Sequence, residues 1–219
     1  MSATDVATAE LMSLRPIPGI GPNRLYHAGA LSSFGPRAVE QFQGLDVGTL
    51  IDLREPKEIQ PESIPVLPGL RYRPISLYSG QLPVDRTLGE VQRILLDGRG
   101  ARLVAVLRAI ANATGGSIVV QCQNGGERSG LVIALLSAAL GMDRAQILAD
   151  FAPESFQASD TLWQRDRAAL SGTLDWLGEG YGSIPGYLLS KGFTGAELRR
   201  LQSLAKHSAP RELRSLVAS

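Results

Sequence analysis

Cys122 is the only cysteine in this 219-residue chain. It stands in "SIVVQCQNGGERSGLVIALL", residues 117 to 136, between two apolar runs. Ile118-Val119-Val120 reads as a buried strand that stops at Gln121, and the run from Leu131 reads as a buried helix. Between them lie Gln123, Asn124, Gly125, Gly126, Glu127, Arg128 and Ser129. A loop that opens a helix is a ready anion site, because the first amides lack intrahelical acceptors and the helix dipole is positive there. Gly125 and Gly126 let consecutive N–H groups turn inward around an anion. Arg128 adds a guanidinium fork matched to phosphate or sulfate oxygens. The groups that would hold a dianion also favour a thiolate at the base of the cradle. A thiolate beneath a bound phosphate is what covalent phosphoryl transfer requires.

The elements that must position this loop follow from the flanking patterns. "VGTLIDLRE", residues 47 to 55, predicts a buried strand with Asp52 and Arg54 at its end. "RLYHAGALS" and "LRYRPISL" predict two more strands. Residues 15 to 23 (RPIPGIGPN) read as irregular, and Pro56, Pro61, Pro65 and Pro68 argue against regular structure before Leu70. Helices are expected at 36–43, opened by Pro36, and across 88–111, split or kinked at Gly98 and Gly100. The segment 130–140 is apolar all round and stops at Gly141 as at a C′ glycine. "DRAQILADF", residues 161–178 and two C-terminal segments complete the helices, with Thr194 and Glu197 forming a capping box. Residues 1–13 read as a flexible N-terminus, leaving 14–219 as one domain. Strands separated by helices imply an α/β fold, a parallel or mixed sheet covered by helices. Its site belongs at the carboxyl ends of the strands.

Composition narrows the classes. Hydrophobic residues are 44% and charged residues 20%, as in ordinary globular proteins. A net charge of +1 supplies no field for nucleic acid. No apolar run reaches membrane-spanning length. One cysteine makes no intramolecular disulfide, and "MSATDVATAELMSL" lacks the pattern of a signal peptide, so a cytoplasmic enzyme or binding protein is expected. Oligomeric state is left open.

"CQNGGERS" resembles the C-x5-R-S/T phosphate loop of the cysteine-dependent protein tyrosine phosphatases. More narrowly, the chain is similar to the bacterial tyrosine/lipid phosphatase group, whose loop reads HCxAGKDRTG. "RLYHAGALS" is similar to that group's RLYRSGALS segment and "VGTLIDLREPKE" to its TVIDLRSPxE segment. "YGSIPGYLLSKGFTGAELRRL" is similar to its C-terminal YGSxxxYL…GLSxxELxxL stretch. The resemblance spans residues 14 to 204 and implies a protein tyrosine phosphatase-like fold with a central, mostly parallel sheet flanked by helices. It implies Cys122 as nucleophile, Arg128 as the phosphoryl grip, and the amides of Gln123 to Arg128 as the cradle. Ser129 would steady the thiolate. No metal or organic cofactor is implied. The implied partner is a phosphorylated substrate, either a phosphotyrosine protein or a small metabolite such as a sugar or nucleoside monophosphate. A pseudo-phosphatase that binds a phosphorylated partner is the alternative. Sulfur transfer also uses a loop cysteine, but C-x5-R-S before a buried helix argues against it.

The chain departs from the group at several positions. Gln121 replaces the usual histidine, Gly126 the loop lysine, Glu127 the loop aspartate and His27 an arginine. Pro16 replaces the aspartate of an FRDLGG segment, and the stretch from Tyr78 to Thr87 is too short for a long lid. Loss of the lysine weakens a phosphoinositide reading. Asp52 and Arg54 read as a strand-end ion pair or as substrate contacts, and with Gln121 as support for the loop. The general acid is expected to be Asp85, in "SLYSGQLPVDR", with Glu127 and Asp52 as rivals. His27 and His207 are set aside from catalysis. Trp163, Trp176, Phe151 and Phe156 fit core packing better than a cleft.

Overall fold

The computed structural model describes residues 14–18, 20–21, 24–31, 33–80, 85–123, 126–151 and 160–206. The strands are β1 (Arg15–Pro16), β2 (Leu25–Gly29), β3 (Val47–Asp52), β4 (Arg71–Pro74) and β5 (Ser117–Cys122). They stand in the order β1-β2-β5-β3-β4. β1 pairs with β2 antiparallel, and the other pairings are parallel. This is the mostly parallel sheet the sequence implies. β5 lies at its centre with every residue buried, as an apolar strand covered on both faces must. β4 forms an edge and carries Arg71 and Arg73, whose charge discourages pairing with another chain.

Two expectations of irregular backbone need correction. Arg15 and Pro16 join the sheet, because an edge strand tolerates a proline that has no N–H to donate. Pro56–Glu58 and Pro61–Ser63 form single turns of 3-10 helix, each opened by its proline, whose fixed φ suits a first helical position. The expectation of a loose segment over residues 1–13 lies outside the described residues.

The helices are α1 (Pro36–Gly44), α2 (Leu88–Gly98), α3 (Gly100–Ala111), α4 (Glu127–Ala139), α5 (Arg144–Asp150), α6 (Asp160–Tyr181), α7 (Ile184–Ser190) and α8 (Gly195–Lys206). Strand alternation sorts two faces. Leu25, Ile51, Ile118, Val120 and Cys122 pack with residues of α2, α3, α4, α7 and α8. Tyr26, Ala28, Leu50 and Val119 pack with Phe42 of α1. The predicted break between α2 and α3 falls at Arg99. The Thr194–Glu197 box forms as predicted, the Glu197 N–H donating to Thr194 Oγ1 at 3.1 Å and the Thr194 N–H to Glu197 Oε2 at 2.8 Å.

α4 decides where the loop goes. It touches β2, β5, α2, α3, α5, α7 and α8. Leu131, Val132, Leu135 and Leu136 are fully buried, each worth about 1.5–3 kcal/mol. Gly141 ends it at φ 83°, a left-handed conformation costly for other residues. The Met142 N–H donates to the Ser137 carbonyl and the Gly141 N–H to that of Ala138, which closes the turn. With both ends of its body fixed, α4 holds its first turn still against β5. Among the described residues, no helix is long and apolar enough to cross a membrane.

Candidate active site

Parallel pairing brings three strand ends together. Gly29 of β2 stands opposite Cys122, and Asp52 of β3 opposite Gln121. Cys122 is the last residue of β5, buried, with Sγ 3.1 Å from the Ser129 Oγ. Gly126 is the N-cap of α4, and no side chain caps the helix. Its first amides are therefore not taken by the Ser, Thr or Asp that ordinarily sits there. Ser129 lies inside the helix, so N-capping is not its role. Asn124 and Gly125 lie outside the described residues.

Arg128 is buried between an acid and a ring. Its terminal nitrogens donate to Glu58 at 2.6 and 2.7 Å, and one also reaches the Leu53 carbonyl at 3.3 Å. Its guanidinium carbon lies 4.8 Å from the centre of the Tyr78 ring. Burial opposes the Arg128 charge. The Glu58 hydrogen bonds and the negative field of Cys122 and Glu58 outweigh it, and the guanidinium is held more strongly protonated than usual. Burial likewise pushes the Glu58 carboxyl up. The Arg128 hydrogen bonds, the Glu55 N–H and the charges of Arg128 and Arg54 override that and hold it below its ordinary value. Burial, then the Glu127 hydrogen bond and charge, raise the Tyr78 hydroxyl, so it stays a donor to Glu127.

Asp52 is saturated. It accepts from the Arg54 N–H at 3.0 Å, Arg54 Nε at 3.0 Å, Arg54 Nη2 at 2.8 Å, Gln121 Nε2 at 2.8 Å and the Tyr72 hydroxyl at 2.9 Å. Burial and the Asp52 charge raise the Tyr72 hydroxyl, which keeps its proton. Arg54 also reaches Ser63 at 3.2 Å. Asp52 is fully buried and Arg54 nearly so. The pair ties β3 to β4, to β5 and to the turn after β3. Removing one partner of such a pair costs about 3–5 kcal/mol, because the other charge stays buried. Gln121 shares this network on the opposite face of β5 from Cys122. It fastens strand ends together and makes no bond to the thiol.

Three further residues were missed from sequence. His27 is buried on β2, two residues before Gly29, so strand alternation puts it on the Cys122 face. Its Nε2 lies 2.9 Å from the Ser129 Oγ. Glu58 anchors Arg128. Glu55, also buried, accepts the N–H groups of Tyr78 at 2.9 Å, Ser79 at 3.3 Å and Gly80 at 2.9 Å, and so pins the segment leading toward Asp85. Two acids directly after a strand end were the available signal for Glu55 and Glu58. Asp85 itself is exposed and takes a left-handed backbone, φ 54°.

A cavity of about 330 Å³ adjoins Gly126 and His27. Ile17, Ile133, Ala134, Ile147 and Phe151 give it an apolar wall, and Arg15 and Asp150 also line it. Gly130 is required where Phe151 crosses α4, since a Cβ there would meet the ring at 2.6 Å. Phe151 therefore faces this cavity rather than only the core. Trp176 packs beside the core beneath Arg93, and Phe156 and the Trp163 side chain lie outside the described residues.

The arrangement has relatives. P. aeruginosa TpbA matches over 83% of this chain and 96% of its own, at 18% identity and a TM-score of 0.50. A cysteine-to-serine variant of TpbA in complex with phosphotyrosine matches with the same coverage and identity and a TM-score of 0.51. At these identities the likeness concerns the fold. The Siw14 catalytic core matches at 13% identity over 75% of this chain and 96% of its own, with a TM-score of 0.42. No curated protein sequence matches. The family model described as "Tyrosine phosphatase family" matches residues 18–205, nearly the whole chain, including the loop from Cys122 to Ser129. The chain thus belongs to the tyrosine phosphatase family and is a cysteine-dependent phosphatase.

Proposed function

We propose that the chain hydrolyses small or aryl phosphate monoesters through a cysteinyl-phosphate on Cys122. The observation that carries this reading is the thiol at the end of β5, 3.1 Å from Ser129, under an uncapped helix start and within the field of Arg128. The amides of Gln123 to Arg128, with Asn124, Gly125 and Gly126 among them, and the Arg128 guanidinium bind the phosphoryl oxygens. The Cys122 thiolate attacks phosphorus, and the bond to the ester oxygen breaks. Asp85 protonates the leaving oxygen, because Asp52 is saturated and buried and Glu127 is bound to Tyr78. Water then gives a proton to the Asp85 carboxylate and attacks phosphorus, the S–P bond breaks, and the Ser129 hydroxyl donates to the returning thiolate. Every step uses groups of the chain, and no metal or organic cofactor is invoked.

The substrate class follows from the surroundings. Gly126 leaves no cation at the position where a lysine would meet a second phosphate. The apolar cavity beside Gly126 suits one ring-sized leaving group. The TpbA variant bound to phosphotyrosine supports an aryl phosphate as one such ester. The test is kcat/KM with EDTA present on a phosphotyrosine peptide, a nucleoside monophosphate and a sugar monophosphate, for wild type and for Ile133→Trp, which fills the cavity. Turnover by wild type and a loss of the two esters that carry an aromatic ring, phosphotyrosine and the nucleoside monophosphate, about tenfold or more beyond that of the sugar monophosphate, are expected in the variant. Equal losses for all three would place the leaving group elsewhere, and abolition of wild-type turnover by EDTA would refute the mechanism.

A further inference from the structure

His27, Ser129 and Cys122 form a buried chain of hydrogen bonds. Nε2 to Oγ is 2.9 Å and Oγ to Sγ is 3.1 Å. All three side chains are less than a tenth exposed. They come from three elements, β2, α4 and β5, and only the parallel pairing of β2 with β5 brings the imidazole to the thiol's face. A hydroxyl has one proton. When Cys122 is a thiolate it can only accept, so the Ser129 proton points at sulfur. The Ser129 oxygen must then receive a hydrogen from its other neighbour, which requires the Nε2–H form of His27.

We propose that His27 is the positioning residue that aims the Ser129 hydroxyl at Cys122 and thereby stabilises the thiolate. It replaces, from the neighbouring strand, support that Gln121 does not give, since the Gln121 amide donates to Asp52 on the other face of the sheet. The inference rests on the reading of Cys122 as nucleophile. His27 acts through Ser129 and does not itself touch the substrate.

The charged groups around the imidazole are identifiable among the described residues. Arg15 of β1 pairs in register with His27 and lines the same cavity, as does Asp150 of α5. On α4, Glu127 is bound to Tyr78 and Arg128 to Glu58.

The test uses Cys122 as its own probe, because it is the only thiol in the chain. The rate of iodoacetamide alkylation is measured against pH for wild type, His27→Leu and His27→Gln, with thermal unfolding of each. Leucine keeps the volume and removes both nitrogens, whereas a glutamine amide can still donate from the Nε2 position. In H27L the profile is expected to move up by about one pH unit, so that alkylation in its acid region is about tenfold slower. The acid limb of kcat/KM should move with it, and H27Q should stay near wild type. Overlap of H27L with wild type would overturn the proposal. So would an H27Q displaced as far as H27L, because the effect would then belong to imidazole charge and not to donation. Alkylation needs no turnover, so this result is separable from a failure of the phosphatase reading, which would show as absent phosphate release by wild type.

Discussion

The Glu58 carboxylate holds both terminal nitrogens of Arg128, at 2.6 and 2.7 Å. The guanidinium is thus oriented by the turn that follows β3, and Tyr78 covers one of its faces. Preorganisation of this kind removes the cost of fixing a long side chain when phosphate arrives.

Glu58→Gln should therefore lower kcat/KM for any monoester. Charge-assisted hydrogen bonds are worth about 1.5–3 kcal/mol, which corresponds to a loss of roughly 10- to 150-fold. The acid dependence has a definite sign. Glu58 is held below its ordinary value in the folded chain, so its ionised form adds stability at pH above the ordinary carboxylate range. That contribution is lost as pH falls through the folded value. Melting temperatures of wild type and E58Q should differ at neutral pH and converge as pH falls below the ordinary carboxylate range. A constant gap across that range would mean the pair contributes nothing through ionisation.

Asp85→Asn tests the general acid. Acid catalysis contributes about 10²–10⁴-fold where the leaving group is a poor one. The variant should lose activity in that range on a sugar monophosphate and much less on p-nitrophenyl phosphate, whose leaving group needs no proton. A uniform loss on both, or none, would remove Asp85 from this role.

The placement of the loop between a buried strand and a buried helix was legible in the sequence because it is local. Cys122, Arg128 and Ser129 lie within one loop and one helical turn, and the apolar runs on each side name their own elements. Gly141 and the Thr194–Glu197 box were equally legible, since each is a short pattern with one geometric meaning. His27 was not legible as a neighbour of the thiol. Its contact with Ser129, 102 positions away, depends on β2 pairing with β5, and no local pattern states that pairing or its phase. Glu58 was hidden for a related reason. The prolines from 56 to 68 suggested a shapeless connection, whereas Pro56 starts a turn that aims Glu58 back at the loop. Gln121 was read against the cysteine beside it, but strand alternation sends its side chain to Asp52.

The absence of a lysine at Gly126 predicts the order of substrates. Phosphotyrosine or small monophosphates should exceed a soluble inositide polyphosphate in kcat/KM. Gly126→Lys should raise the inositide value by about tenfold or more, the worth of one added charge-assisted hydrogen bond. An inositide preference in wild type that the lysine does not increase would show that another cation already serves a second phosphate.

The covalent step is the centre of the account, and the mass of one peptide tests it. Wild type is mixed with p-nitrophenyl phosphate, quenched in acid during turnover, digested, and the peptide carrying Cys122 is weighed. The account predicts a phosphoryl group on Cys122 in wild type and none in Cys122→Ser, which binds phosphate esters but does not release phosphate. Steady turnover with the label absent from Cys122, or with C122S retaining about a tenth or more of wild-type kcat, would contradict it.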